Sequence, residues 1–279
     1  MSQGKFIERV LLFLALSAIG CLALITIFIF KEGMPLIWHT GLTDFLFSSH
    51  WAPTRGHFGI GAMIISSLLV TLGALVLGVP LGLACAIILA EFSPPRLKTI
   101  LKPTLELLAG IPSVVYGFLG VIWLVPLIRD HLGGPGLSLL AGAVILGIMI
   151  LPTVVSISID ALGAVPDLYR DGSMALGATQ WQTVRRVVLP AASSGIVTAI
   201  ILGMGRAVGE TMAVIMVAGN ALKIPTSILD PVRTLTSNIA LELGYASGRH
   251  REALFATGIV LFVIIMILNL SATLITRRR

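Results

Sequence analysis

The stretch GMGRAVGETMAV, residues 203–214, lies inside an apolar run that extends from residue 196 to residue 219. The run carries two charged side chains, Arg206 and Glu210, and both fall within the quoted residues. A charge at the centre of a bilayer helix costs about 2.5–3.5 kcal/mol on insertion scales. The sequence therefore has a reason, structural or functional, to keep two charges in a segment that is long enough to cross a membrane.

The rest of the chain has the same apolar character. Of its 279 residues 56% are hydrophobic and only 11% are charged, whereas soluble domains have roughly 25% charged residues. Six apolar stretches are long enough to span a bilayer: 10–30, 58–90, 103–128, 132–159, 189–219 and 253–276. The third of them is interrupted only by Glu106. The sequence predicts an all-α integral membrane protein with six transmembrane helices in one lipid bilayer.

The distribution of basic residues predicts the orientation. An even number of helices places both termini on one side, and the basic residues at 5–9, 96–102 and 277–279 all fall on that side. Cytoplasmic segments carry an excess of Lys and Arg, so we expect the N-terminus and the C-terminus to be inside. This arrangement accounts for the net charge of +6 without a nucleic-acid partner.

Residues 160–188, the docking segment, are the least apolar of the inner segments. Leu176, Trp181 and Val184 recur there at helical spacing, which indicates an amphipathic helix. Such a helix lies on the lipid surface or docks into a soluble partner. Because Gly177 weakens a continuous helix, we expect two short helices that meet at residues 177–179, with Thr179 as the cap of the second.

The third predicted span contains three residues that disturb a regular helix, Gly110, Pro112 and Gly117. Membranes tolerate irregular backbone only where protein or a water-lined cavity satisfies its polar groups. The segment is either a packing kink or part of a pathway, and in the second case Ser113 and Tyr116 would offer hydroxyl groups.

The docking segment carries a family signature. The spacing Asp171-x5-Gly177-x9-Val187-x-Leu189-Pro190 resembles the E-A-A-x3-G-x9-I-x-L-P signature of ABC-importer permeases, although Asp-Gly-Ser replaces Glu-Ala-Ala at residues 171–173. Other stretches follow in order: ILAEFSPPRLK, LLAGIPSVVYGF, MILPTVVSIS, GRAVGETMAVIMVAGN and DPVRTLTSNIALELG. Together they are similar to the PstC-type permeases of ABC phosphate importers.

The resemblance implies the type I ABC importer (MetI-like) permease fold in a bacterial inner membrane. Residues 1–57 would form a first helix with an outer loop, and residues 58–279 the permease domain. The partners it implies are a PstA-like permease as heterodimer mate, a dimer of a cytoplasmic ABC ATPase, and a periplasmic phosphate-binding protein. The residues it implies for ATPase coupling are Asp171, Ala175, Leu176, Gly177, Ala178, Leu189 and Pro190.

The sequence agrees with this division of labour because it contains no G-x4-G-K-[ST] loop to cradle a nucleotide. ATP and Mg²⁺ would be bound by the separate ATPase, with no cofactor in this chain. No catalytic constellation or metal-ligand spacing is visible either, so we expect a non-catalytic subunit.

The two membrane charges have two interpretations. On a continuous helix Arg206 and Glu210 share a face, and Gly205 and Gly209 let a neighbouring helix approach closely. They either neutralise each other as a structural ion pair, or Arg206 meets a passing phosphate while Glu210 holds and releases the guanidinium. Arg suits the second role because its planar fork matches phosphate oxygens. Thr211 and Ser113 are weaker candidates for hydroxyl contacts.

Two alternative functions stay open. The chain could be a permease of the same superfamily for another oxyanion, such as molybdate, sulfate or phosphonate, since Arg206 suits each of them. It could also be a secondary anion transporter, although the paired broken repeats common in such proteins are not evident. Dependence of uptake on ATP separates the second alternative from the importer.

Overall fold

The computed structural model of the protein describes residues 2–277 and is helical almost throughout. Five single helices are long and apolar enough to cross a membrane, and a bent pair, Gln180–Ala191 with Ser193–Gly209, makes up to six within the described residues. The count of six predicted from the sequence is therefore confirmed when the bent pair is one span. Residues 278 and 279, which contributed to the predicted charge asymmetry, lie outside the described part.

The N-terminal helix is longer than the predicted 10–30. Helix α1 (Ser2–Thr40) continues into the expected outer loop, because Leu36 and Ile37 are buried against the C-terminal helix α14 (Arg249–Arg277) and its neighbours. A short helix, α2 (Leu42–Phe47), follows. The strands β1 (Trp51–Ala52) and β2 (His57–Phe58) then form a small antiparallel hairpin around a 3-10 turn, Pro53–Arg55.

The centre of the fold is a helix pair. Helix α3 (Gly61–Ile87) ends in a π-helical turn, Ile88–Phe92, and packs along α7 (Leu139–Gly163). The contact is close because α3 presents glycine there: a Cβ atom at Gly78 would lie 2.7 Å from Cγ1 of Ile150 and 2.8 Å from the carbonyl oxygen of Gly147. Small residues let two membrane helices approach in this way.

The predicted single span 103–128 is wrong in its bounds. The chain forms an amphipathic helix α4 (Pro95–Ala109), a break at residues 110–112, and then α5 (Ser113–Leu119), a π-helical turn, Gly120–Leu124, and α6 (Val125–Leu132). Pro112 causes the break because it lacks an N–H and restricts the residue before it. The membrane-length segment is Ser113–Leu132.

The predicted continuous helix 189–219 is also interrupted. The docking segment contains α8 (Asp167–Ala175), α9 (Gln180–Thr183) and a π-helical turn, Val184–Val188; α10 (Leu189–Ala191) and α11 (Ser193–Gly209) follow, with a bend of 70° at residue 192. Glu210 is extended, with ψ of 132°, and α12 (Met212–Val217) begins after it. The helix thus ends at Gly209, directly before Glu210 turns to cap the next helix.

The opposite end of the molecule is closed by the segment after α12, which includes α13 (Leu235–Glu242). A buried carboxylate, Glu242, fastens it: Trp51 Nε1 donates to Oε2 at 2.9 Å, Arg233 Nη1 donates to Oε1 at 2.7 Å, and His250 Nε2 lies 2.8 Å from Oε2. This cluster joins the β-hairpin, residues 218–248, which we call the outer segment after its predicted location, and the start of α14.

Candidate functional site

The broken end of α4 brings two predicted pathway residues together. When α4 stops at Ala109, its last carbonyl groups lose their helical partners. Arg206 Nη2 donates to the carbonyl oxygen of Ala109 at 3.2 Å, and the Tyr116 hydroxyl donates to that of Leu108 at 2.9 Å. The arginine of α11 and the tyrosine of α5 therefore meet at one interruption, directly before the membrane-length segment Ser113–Leu132.

Glu210 has a different environment from the one predicted. Because α11 ends at Gly209, Arg206 and Glu210 do not share the face of a continuous helix, and among the described residues no ion pair joins them. Glu210 Oε1 instead accepts hydrogen bonds from the backbone N–H groups of Thr211 (3.1 Å) and Ala213 (3.2 Å) at the start of α12. The carboxylate thus acts as a helix cap in this conformation.

The guanidinium of Arg206 is half-buried and has no carboxylate partner in the described part of the chain. Its position in the last turn of α11, next to the end of α4, places it among the carbonyl ends of two helices, which favour a cation. Within residues 2–277, the carbonyl oxygen of Ala109 is the one hydrogen-bond acceptor found for its five N–H donors.

The short helices that follow the two breaks, α5 and α12, pack against each other. A Cβ atom at Gly117 in α5 would lie 2.8 Å from Sδ of Met216 and 3.0 Å from Cα of Ala213 in α12, so the short helices are in close contact. The predicted close approach at Gly205 and Gly209 is not found within this chain, since the space beside both is open. Their faces are therefore free to meet lipid or another chain.

A group of hydroxyl side chains near Glu210 was not foreseen from the sequence. Thr236 Oγ1 donates to the carbonyl oxygen of Glu210 at 2.9 Å, and Ser67 Oγ accepts a hydrogen bond from the N–H of Leu235 at 2.9 Å. These bonds tie the outer segment to α3 and to the break after α11. Ser113 and Thr211 are both half-buried, Ser113 as the first residue of α5 and Thr211 in the break before α12.

The docking segment has the two short helices that the sequence predicts. Gly177 separates them with a left-handed φ of +86°. Thr179 Oγ1 accepts from the N–H of Gln182 at 3.3 Å, and Gln182 Oε1 accepts from the N–H of Thr179 at 2.9 Å, which confirms the predicted cap as a reciprocal capping box.

The predicted coupling residues lie on the surface of this segment. Leu176 is 91% exposed, Asp171, Ala175 and Pro190 are exposed, and Ala178 and Leu189 are half-buried. Further large apolar side chains are exposed on the same two helices: Leu168, Tyr169, Met174 and Trp181. Exposed apolar side chains grouped in this way are typical of surfaces that contact another protein or a membrane.

In the described residues, the fold is a bundle of up to six membrane-length helices, with interruptions at residues 110–112 and at Glu210. The family described as the binding-protein-dependent transport system inner membrane component matches residues 78–279. The chain belongs to this family: it is an ABC transporter permease, a non-catalytic subunit of the inner membrane whose ATPase is a separate subunit.

Similar proteins agree with this assignment. A probable ABC transporter permease protein, YqgH, of Bacillus subtilis is 42% identical over 272 residues, which cover 95% of this chain and 88% of the relative. The phosphate transport system permease protein PstC of Haemophilus influenzae is 35% identical and covers 84% and 81% of the two chains. PstC of Mesorhizobium japonicum is 38% identical over 79% and 74%.

Solved structures support the fold. A bacterial ABC transporter of alginate, in complex with a periplasmic protein that holds an alginate pentasaccharide, aligns over 98% of this chain and 96% of its own, with a TM-score of 0.66 and 18% identity. The inward-facing MetNI methionine ABC transporter aligns over 81% and 95%, with a TM-score of 0.58 and 21% identity. The type I importer fold predicted from the sequence is confirmed.

Proposed function

We propose that this chain is the PstC-like permease subunit of an ATP-driven importer of inorganic phosphate. Residues 58–279 form its permease domain, with the docking segment as the contact to a dimer of ABC ATPases. A PstA-like permease completes the pathway, and a periplasmic phosphate-binding protein delivers the anion to the outer face. Three relatives named phosphate transport system permease protein PstC support phosphate as the substrate.

The observation that carries the proposal is the unpaired guanidinium of Arg206 at the break between α4 and α5. A cation held in a membrane without a carboxylate partner has a strong tendency to bind an anion. Its planar fork can donate to two phosphate oxygens at once.

Transport also requires that the anion leaves. Arg206 already donates to the carbonyl oxygen of Ala109, and this bond competes with phosphate for the same N–H donors. When the ATPases move the docking segment, the bend at residue 192 transmits the movement to α11, and the Arg206 site opens alternately to the two sides. Glu210, one residue beyond α11, recaptures or releases the guanidinium as the break rearranges.

Replacement of Arg206 in the complete complex tests this role. In proteoliposomes, we expect Arg206→Ala to lower ATP-dependent phosphate uptake by at least about tenfold, since hydrogen bonds to charged groups contribute about 1.5–3 kcal/mol each. Arg206→Lys keeps the charge but loses the fork, so uptake should fall less. Arg129→Ala is the matched control, because Arg129 is exposed and pairs only with its neighbour Asp130.

The outcomes separate the alternatives. Normal uptake by Arg206→Ala contradicts the substrate role. Loss of complex assembly in that variant supports the structural interpretation, in which Arg206 and Glu210 form an ion pair in another conformation of the transporter. Inhibition of uptake by sulfate or molybdate at concentrations equal to phosphate indicates a permease for another oxyanion. Uptake that proceeds without ATP points to a secondary transporter.

A further inference from the structure

Arg170 connects the docking segment to the membrane helices. Arg170, in α8, donates five hydrogen bonds at 2.7–3.3 Å. Two go to the carboxylate of Glu91, one each to the carbonyl oxygens of Leu162 and Val165 at the end of α7, and one to Asp167. The side chain therefore connects α8 with the inner ends of α3 and α7 at once.

The pair between Arg170 and Glu91 is bidentate and buried. Nε donates to Oε2 at 3.2 Å and Nη2 donates to Oε1 at 2.8 Å, while only 18% of the Arg170 side chain and 7% of the Glu91 side chain are exposed. The hydrogen bond to Glu91 is the largest cause that raises the pKa of Arg170. Two parallel hydrogen bonds fix the angle between the partners as well as their distance, and removal of one partner would leave a buried charge without compensation.

Two further contacts tie the second docking helix to the same turn of α3. Gln180 Nε2, in α9, donates to the carbonyl oxygen of Glu91 at 2.7 Å, and the Trp181 ring lies 6.4 Å from the ring of Phe92, measured between centroids. All three α3 contacts fall in the π-helical turn Ile88–Phe92. Turns of this kind are rare and occur frequently at functional sites.

Helix α3 extends from this turn through the membrane to the outer segment. It packs closely along α7 at Gly78, and at its outer part Ser67 accepts the hydrogen bond from Leu235. A displacement of α8 and α9 therefore reaches the inner end of α3 through an oriented, largely shielded contact, independently of the covalent route through residue 192 into α11.

From this geometry we propose that Glu91 and Arg170 form the mechanical joint that transmits the movement of the docked ATPases to α3, as positioning residues for transport. This inference rests on the proposed function for its substrate, although the joint itself does not depend on which anion is carried. The joint stays closed while the docking segment moves, so that α3 follows it.

The test uses the complete complex in proteoliposomes with phosphate, ATP and the binding protein. Glu91→Gln keeps the shape of the side chain and removes its charge. We expect this variant to assemble and hydrolyse ATP, while the ratio of phosphate transported to ATP hydrolysed falls by about tenfold, as for a typical lost coupling between sites. Glu91→Asp, which keeps the charge, should recover part of the ratio.

Lys102→Gln provides the matched control. Lys102 pairs with Asp160 and joins α4 to α7 at the same end of the molecule, but that pair is open to solvent, with 34% and 61% of the side chains exposed. Loss of an exposed pair is worth little, so the transport ratio should stay at the wild-type value. An unchanged ratio in Glu91→Gln, or an equal decrease in Lys102→Gln, overturns the proposal.

A second measurement does not require transport of phosphate. In a background with Cys21 and Cys85 replaced by Ser, labels at Ile88→Cys and Phe47→Cys report the distance between the inner end of α3 and the outer face on ATP binding. We expect an ATP-dependent change with Glu91 present and none in Glu91→Gln. The same change in both proteins would show that α3 moves without the joint.

A chemical link gives the converse test. In the same background, Glu91→Cys with Arg170→Cys should lower the transport ratio, and a short bifunctional thiol reagent should restore it, whereas a monofunctional reagent should not. Abolished uptake in the linked protein would show that the contact must open during transport, which contradicts a closed joint. A wild-type complex that shows the ATP-dependent distance change but carries no phosphate refutes the proposed substrate and leaves the joint intact.

Discussion

Arg206 illustrates how far single residues can be interpreted before a structure is known. Its charge inside an apolar run identified it as a candidate functional residue from the sequence, because charged residues are rare in membrane helices. The sequence could not show that Glu210 turns away from it, because that depends on where α11 ends. Nor could it pair Arg170 with Glu91, which lies 79 residues earlier in the chain. Short-range spacing predicts neighbours on one helix, and contacts between helices require the fold.

Asp230 offers a test outside the membrane. Its carboxylate accepts hydrogen bonds from the N–H and the hydroxyl of Thr226 and from the N–H of Ser227, and it also pairs with Lys223. The backbone hydrogen bond from Thr226 is the largest cause that lowers the pKa of Asp230 from 3.8 to about 2. A lowered pKa stabilises the folded loop above the unfolded pKa, and this stabilisation disappears as the pH falls through the folded value.

We therefore expect the wild-type loop 221–231 to become sensitive to pepsin between about pH 4 and pH 2. In Asp230→Asn the loop should already be sensitive at the upper end of this range. Cleavage would be measured in lipid nanodiscs, relative to cleavage elsewhere in the chain. Asp44→Asn, which changes an exposed carboxylate in α2, serves as control, and identical profiles for the two variants would contradict the role of Asp230.

At the scale of the helices, signals within a few residues of the sequence were sufficient to predict some helix ends and caps. Pro112 and Gly177 predicted interruptions because their backbone preferences act within a few residues, and Thr179 predicted a cap for the same reason. The extension of α1 and the break at Glu210 were not predictable from such signals. The first depends on packing of Leu36 and Ile37 against α14, and the second on the contact between α12 and α5.

Two glycines of the docking segment make a matched pair of variants. Gly177 has a left-handed φ of +86° and Gly172 lies inside α8, and both would leave open space around an added Cβ atom. Gly177→Ala should weaken the segment by about 1–2 kcal/mol, because the Cβ atom disfavours the left-handed region. Gly172→Ala should stabilise α8 by up to about 1 kcal/mol.

The affinity of the ATPase for the permease in detergent measures both effects. It should fall in Gly177→Ala and stay equal or rise in Gly172→Ala. A decrease of the same size in both variants would indicate that the ATPase contacts this surface sterically, and the conformational explanation would then be wrong.

For the whole molecule, composition alone predicted the class, and the span count followed from the apolar stretches. The fold could be predicted only from the docking-segment signature and the other stretches that resemble a known family, because hydropathy does not show how helices pack against each other. The arrangement of α3 between α7 and the outer segment comes from close glycine contacts that no periodicity reveals. The orientation of the termini remains a prediction from the basic residues.

Labelling tests that orientation. In a background with Cys21 and Cys85 replaced by Ser, a membrane-impermeant thiol reagent added to intact spheroplasts should modify Ile228→Cys, in the outer segment, and leave Leu176→Cys unmodified. Both side chains are exposed, so both should react after the membrane is opened with detergent. The reverse pattern in spheroplasts would place the docking segment outside and refute the predicted topology.

The carboxylate of Glu242 has a consequence for biosynthesis. Trp51 is translated 191 residues before this hydrogen-bond partner, an interval of roughly 10–40 s at ribosomal speeds of about 5–20 residues per second. His250, which completes the cluster, emerges later still. This cluster is consequently complete only after residue 250 has been translated, and a nascent chain truncated before α13 lacks the carboxylate that joins its members.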